Sequence, residues 1–217
     1  MSDIFSEVDE EVRRERLKRL WDRYGIFVVA LAVFIVIGVS AWRLNVWWET
    51  KKAAASGVAF EAAALLGAQG KNAEAEAAFA KIAADGHGGY RILARLREAA
   101  ELSGRDAAAA VKIYDGIVAG PGIAEPLRDL AAVRAAMILV DGVPYEDIRR
   151  RLEPLTVPER AFRHTARELL ALSAWRASDS AALRRWSDMM TTDAATPSGS
   201  KARVDMLLVL SGAGGKS

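Results

Sequence analysis

The chain has no cysteine, which excludes disulfides, thiolate metal sites, cysteine nucleophiles and outer-membrane attachment through a lipidated N-terminal cysteine. Two histidines, His87 and His164, are all that 217 residues contain, so a multi-histidine metal centre lacks donors. Aromatic residues are scarce, at 7% of a chain that is 52% hydrophobic. Alanine supplies much of the difference, which is the composition of closely packed small-residue helices rather than of a β-sandwich. An excess of one charge is missing too: 30 Lys and Arg against 28 Asp and Glu leave a net charge of +2. The signs are mixed along the chain and no basic face stands out to neutralise phosphates, so nucleic acid is not an expected partner. The expected fold class is all-α.

One long apolar run is present. Gly25 to Trp42 reads GIFVVALAVFIVIGVSAW, eighteen residues without a charge, about 27 Å as a helix and enough to cross the hydrocarbon of a bilayer. Eleven of these residues are Val, Ile, Leu or Phe, which favours insertion by about 3 to 7 kcal/mol. Trp21 and Tyr24 precede the run and Trp42, Trp47 and Trp48 close it, as amphipathic rings do at two membrane interfaces. A cleavable signal peptide competes, because Val39-Ser40-Ala41 offers the small residues a signal peptidase accepts. Such a peptide has an apolar core of about 7 to 15 residues behind a short basic tip, whereas 24 charge-rich residues come first here. An uncleaved single-pass anchor fits better. It lacks a small-xxx-small face for pairing with another helix.

Arg13, Arg14, Arg16, Lys18, Arg19 and Arg23 precede the run, and only Arg43, Lys51 and Lys52 follow closely. That asymmetry places the N-terminus in the cytoplasm and the rest of the chain beyond the membrane. The organisation expected is a cytoplasmic amphipathic stub over 1–24, a transmembrane helix over 25–42, a periplasmic domain over 43–211 and a flexible tail over 212–217. Phe5, Val8, Val12, Leu17, Leu20 and Trp21 recur at helical spacing in the stub, so it continues the anchor as a helix.

Beyond the anchor a pattern repeats. A helix ends, a second begins with alanine-rich sequence, and a large residue is followed three positions later by an aliphatic one: Phe79/Ile82, Tyr114/Ile117, Leu152/Leu155 and Trp186/Met189. The steps of 35, 38 and 34 residues lie near the 34-residue period of tetratricopeptide helix hairpins. Gly70, Gly104 and Gly142 end the first helices, where a residue without a Cβ can take the left-handed cap conformation, and Ser178-Asp179-Ser180 takes that place in the fourth unit. Ala75 and Ala110 stand one turn before the aromatic position and let the neighbouring helix approach. Helices are expected near 52–69, 72–84, 89–103, 106–119, 125–141, 145–153, 159–177, 180–192 and 200–210. They form a right-handed α-solenoid of about four hairpins, closed by a capping helix through Val204, Met206, Leu207, Leu208 and Leu210.

The opening Val8-Asp9-Glu10-Glu11-Val12-Arg13-Arg14, then Trp21-Asp22-Arg23-Tyr24-Gly25, then the single anchor and the repeats, resemble the YfgM-type ancillary subunits of the bacterial Sec translocon. The resemblance covers nearly the whole chain. It implies an inner-membrane protein whose periplasmic tetratricopeptide domain works with the SecYEG channel and a membrane-anchored periplasmic chaperone. Relatives of the same plan are linked to envelope assembly and cell division. The third unit departs from the usual pattern, because Pro144, Pro154 and Pro158 shorten its hairpin.

Catalytic candidates do not emerge. His87 lies in the Gly86–Gly89 turn, better explained as a hairpin break than as a phosphate cradle. His164 sits among Arg160, Arg163 and Arg167 without a carboxylate at ligand spacing. Asp9, Glu10, Glu11, Glu74 and Glu76 fall on exposed faces, and no serine occupies a GxSxG elbow. No enzyme activity, cofactor, metal or small-molecule substrate is expected. Tetratricopeptide hairpins bind peptides along their first helices, which here offer Tyr90, Arg91, Arg95, Arg128, Arg134, Arg163, Arg167 and Trp175. Alternatively, Tyr90 and Trp175 pack between hairpins and the arginines are solvated. An arginine-rich wall would favour acidic partners or free C-termini.

The charge asymmetry yields a direct test. Alkaline phosphatase fused to the C-terminus is expected to be active and a fluorescent protein fused there dark; the opposite pair of results places the repeats in the cytoplasm.

Overall fold

Proline and alanine decide where these helices stop. The first proline is Pro121, and residues 49–68 are dominated by alanine, the strongest helix former. In the computed structural model, which describes residues 3–212 and side chains from Lys18 onward except 19, 20 and 28, helix α1 therefore runs unbroken over Asp3–Ala68. The separate helix expected at 52–69 is its last stretch. The glycines inside α1 each cost only about 1 kcal/mol relative to alanine and do not end it. The amphipathic side chains expected before Lys18, and the tail after Gly212, lie outside the described residues.

The chain divides into two units, Met1–Ala54 and Ala55–Ser217. In the first, α1 is long and apolar enough to cross a membrane. Ile26, Phe27, Leu31, Phe34, Ile37 and Val39 are all exposed there, a continuous apolar surface of the kind that demands a lipid or protein cover. Lys51 lies over the Trp47 ring, with Nζ 4.1 Å from its centroid.

The second unit is helical throughout its described residues. After the end of α1 come α2 (Asn72–Asp85), α3 (Tyr90–Leu102), α4 (Ala107–Val118), α5 (Glu125–Leu139), α6 (Tyr145–Leu152), α7 (Arg163–Arg176), α8 (Ser180–Thr192) and α9 (Ser198–Leu210), with a 3-10 turn at Glu153–Leu155 behind α6. Gly70 is left-handed, with φ +76°, and Ser178 takes the same region at φ +56°. Gly104 and Gly142 do not: α3 and α5 end in right-handed residues, Ser103 and Val140, and these two glycines only occupy the turns that follow. Asp106 and Asp179 each accept a hydrogen bond from a backbone N–H three residues on, at 2.9 Å, and so cap α4 and α8.

The first two clusters of buried residues each join one hairpin to the first helix of the next, and the third joins the last two hairpins and the capping helix. Ala63 of α1 meets Ala75, Phe79 and Ile82 of α2 and Ala94 of α3. Leu96 and Ala99 of α3 meet Tyr114 and Ile117 of α4 and Ala131 and Ala135 of α5. The third cluster runs from Ala136 through Ile148 and Leu152 to Leu170, Leu183, Trp186 and Val204. This is the stacking of an α-solenoid, in which a hairpin buries its apolar face only against its neighbour. Two expectations need correction. Met190, at 1% exposure, holds the fourth inward position instead of the half-buried Met189; steps of three and four residues return to the same helix face. The capping helix α9 packs through Val204, Leu207 and Leu208, whereas Met206 and Leu210 point to solvent.

Trp186 is fully buried, and its Nε1 donates to Tyr145 Oη at 2.9 Å. Trp186→Ala is expected to destabilise the second unit by about 3–5 kcal/mol. Val209→Ala, on the exposed side of α9, should stay within about 0.5 kcal/mol. Hydrogen exchange of α7 and α8 amides in the full chain checks both.

Candidate protein-binding surface

The first helices of the hairpins place the eight candidate side chains in different surroundings. On α3, Tyr90 packs between hairpins: its ring centroid is 5.9 Å from that of Phe60, and a Cβ on Gly57 would stand 2.9 Å from its hydroxyl. Arg91 is exposed and donates from Nε to Ala83 O at 3.4 Å. Arg95 lies against α4, where a Cβ on Gly116 would stand 2.8 Å from its Nη2. Nearby Glu98 has its carboxyl pushed up by burial, an effect that Arg95 opposes and Glu76 reinforces. Arg128 and Arg134 are both exposed on α5 but six residues apart, so they occupy different faces. Trp175 is half-buried against the third cluster.

Arg167 is no groove residue, since only 4% of it is exposed. Its Nε and Nη2 donate to Thr156 O at 3.1 and 2.7 Å, and its Nη1 to Met189 O at 3.3 Å and Asp193 Oδ2 at 2.9 Å. Arg163 donates to the same carboxylate oxygen at 3.0 Å. These arginines, Arg163 foremost, and the backbone N–H of Ala195 hold the Asp193 carboxyl far below the usual carboxylate range. His164 belongs to this cluster: its Nδ1 is 3.1 Å from Thr196 Oγ1 and 3.8 Å from Asp193 Oδ2. Burial, then Arg163, Arg167 and Lys201, lower the His164 pKa, and Asp193 pulls the other way.

An opening of about 710 Å³ lies at the third hairpin. Pro154, two residues past the end of α6, lies within the 3-10 turn that ends it, and α6 has eight residues against fifteen in α5. At 1.5 Å per residue that is about 12 Å against about 22 Å, and the start of α5 meets the turns around Arg160 instead of a helix. Arg160, Arg151, Arg150 and Arg128 reach the opening with Asp129 and Asp147. Arg160 Nη1 pairs with the nearly buried Asp129 at 3.1 and 3.2 Å and with Glu125 at 2.7 Å. Arg151 holds Asp115, and Arg150 holds Asp147. The Arg128 guanidinium has no hydrogen bond or ion pair among the described residues.

Residues 18–170 match the family described as tetratricopeptide repeat-like domain. The chain belongs to this family. No curated protein and no solved structure matches it. The tetratricopeptide-like match begins ahead of the apolar run and ends at Leu170, within α7. Domains of this kind are typically non-catalytic and engage other proteins.

The Asp193 cluster and the third-hairpin opening were missed from sequence. Asp193 stands 29 positions after His164, and only the turn from α7 into α8 brings them together. Ser198-Gly199-Ser200-Lys201 also spells S-x-x-K at the start of α9. Its lysine, Lys201, has Nζ 3.5 Å from Thr191 O, and its serine, Ser198, is exposed at the start of the helix, not enclosed as a nucleophile would be.

The lowered His164 pKa sets a direction for stability. Unfolded imidazole takes up a proton below about pH 6.5, which the folded site resists, so stability is full above that pH and declines as the pH falls. The Asp193 contribution persists to more acid conditions, disappearing only below the ordinary carboxylate range near pH 4. The thermal midpoint of the full chain is expected to fall between pH 7.5 and 5.5, and His164→Gln to flatten that slope.

Proposed function

We propose that the protein is a membrane-tethered periplasmic adaptor, non-enzymatic, whose repeats over 43–211 bind partner proteins. The observation that carries this reading is the joining, in one family match over 18–170, of a helix able to cross a membrane with a stack of tetratricopeptide-like hairpins. Its orientation, N-terminus in the cytoplasm of a bacterial inner membrane, rests on the arginine and lysine asymmetry around the apolar run. The resemblance to YfgM-type subunits in the stub, the Trp21–Gly25 segment and the order of parts supports SecYEG channel subunits and a membrane-anchored periplasmic chaperone as partners.

Surface sites suited to a cross-linking probe are the exposed Arg91 and Arg134, which leave the buried clusters intact. A photoreactive residue at either position in living cells is expected to capture Sec channel subunits or a periplasmic chaperone. Exclusive capture of cell-wall or division proteins overturns the translocon assignment and favours an envelope-assembly scaffold.

A further inference from the structure

The third hairpin is the irregular unit of the stack, and its opening combines two kinds of wall. The partly exposed Val118, Leu139 and Val143 supply apolar surface. Arg128, Ala132 and Leu139 lie at spacings of four and seven residues on α5 and all line the opening, so they form one stripe along the helix. Eleven residues at 1.5 Å make that stripe about 16 Å long, with a guanidinium at one end and hydrocarbon at the other.

The four guanidinium groups are not equivalent. Arg160 and Arg151 are engaged by Asp129, Glu125 and Asp115. The Arg150–Asp147 pair is largely solvent-exposed, with 76% and 46% of the two side chains accessible, and such pairs hold weakly. The Arg128 guanidinium keeps all its donors uncommitted among the described residues, in a fork that suits a carboxylate in bidentate fashion.

From this arrangement we infer that the cleft between α5 and α6 binds an acidic-apolar segment of a partner polypeptide, with an aspartate or glutamate side chain on Arg128 and apolar side chains against the partly exposed Leu139 and Val143, over the buried floor at Ala132. The inference rests on the protein-binding reading above and names the chemistry of the partner. An extended chain advances about 3.3 Å per residue, so the stripe accommodates about five residues. The opening lies within the roughly 300–1,000 Å³ of ligand-binding pockets.

The test uses the full chain in phosphatidylcholine nanodiscs and the peptide acetyl-Asp-Leu-Ala-Val-Leu-amide, whose one carboxylate is the aspartate side chain, with binding followed by titration calorimetry. Saturable binding is expected. It should weaken about ten-fold or more when the peptide carries asparagine in place of aspartate, or when the protein carries Arg128→Gln. Lys112→Gln, which alters an exposed cation on α4 outside the cleft, should leave binding within about two-fold. Because Arg128 is exposed, its replacement should not disturb the fold, and an unchanged thermal midpoint checks that. Absence of saturable binding, equal binding of the aspartate and asparagine peptides, or equal losses in the two protein variants each overturns the inference. No translocon component takes part, so failure here removes the cleft assignment while the cross-linking result decides the translocon assignment separately.

Discussion

Ala75, Ala94, Ala99, Ala110, Ala131, Ala135 and Ala136 are each buried to within 1%, and they stand where consecutive helices of the stack meet. A methyl side chain lets two helix backbones approach more closely than leucine would, and at that separation even one added methylene has no room. The larger side chains, Phe79, Tyr114, Leu152 and Trp186, then fill the space beside each close approach. Spacing between hairpins is thus set by the smallest residues, and the direction of each helix face by the largest.

Polar interactions enter where this apolar regularity fails. Prolines shorten α6, and the following segment reaches α7 through turns instead of a helix. Arg167 is buried there, tying the carbonyl of Thr156 to the end of α8 and to Asp193. Arg176 reaches back to the carbonyls of Val140 and Asp141 behind α5, a favourable place for a cation near the negative end of a helix. Arg185 pairs with Glu153 at 2.8 Å. A guanidinium with several fixed acceptors suits an irregular junction, because its planar fork can bridge carbonyls that no helix would align. Removing one partner would leave a buried charge uncompensated, so this region is held by a few specific contacts.

The regular parts were readable because they obey local periodicity. Phe79/Ile82 and Tyr114/Ile117 announce their inward direction through a spacing that any helix converts into a shared face. Continuity of α1 was less evident because the alanine-rich stretch was divided at the end of hydrophobicity, although nothing in it breaks a helix. The left-handed state open to Gly104 and Gly142 was not taken up for a related reason: glycine permits that conformation without requiring it. Arg167 and Arg163 were recognised as chemistry-bearing but assigned to a groove. Their true counterpart, Asp193, is remote in sequence and becomes visible only when α8 folds back. The opening at the third hairpin was foreshadowed by its prolines, whereas the freedom of Arg128 depends on which carboxylates its neighbours had already taken.

Irregularity and recognition belong together in this stack. A perfect hairpin covers its own first helix, and its arginines are left to solvent, where a single ion pair contributes little. At the shortened hairpin an uncommitted guanidinium shares an opening with the partly exposed Leu139 and Val143, so a charge bound there meets its partner near hydrocarbon. One arginine and five residues of apolar contact still make a weak site, well below the affinity of a standard protein interface. Confinement to a shared membrane compensates for such weakness by raising the effective concentration, which reaches the millimolar range for short flexible linkages. The proposed tether and the proposed cleft therefore require one another energetically: a site of this size depends on confinement, and confinement makes a larger one unnecessary.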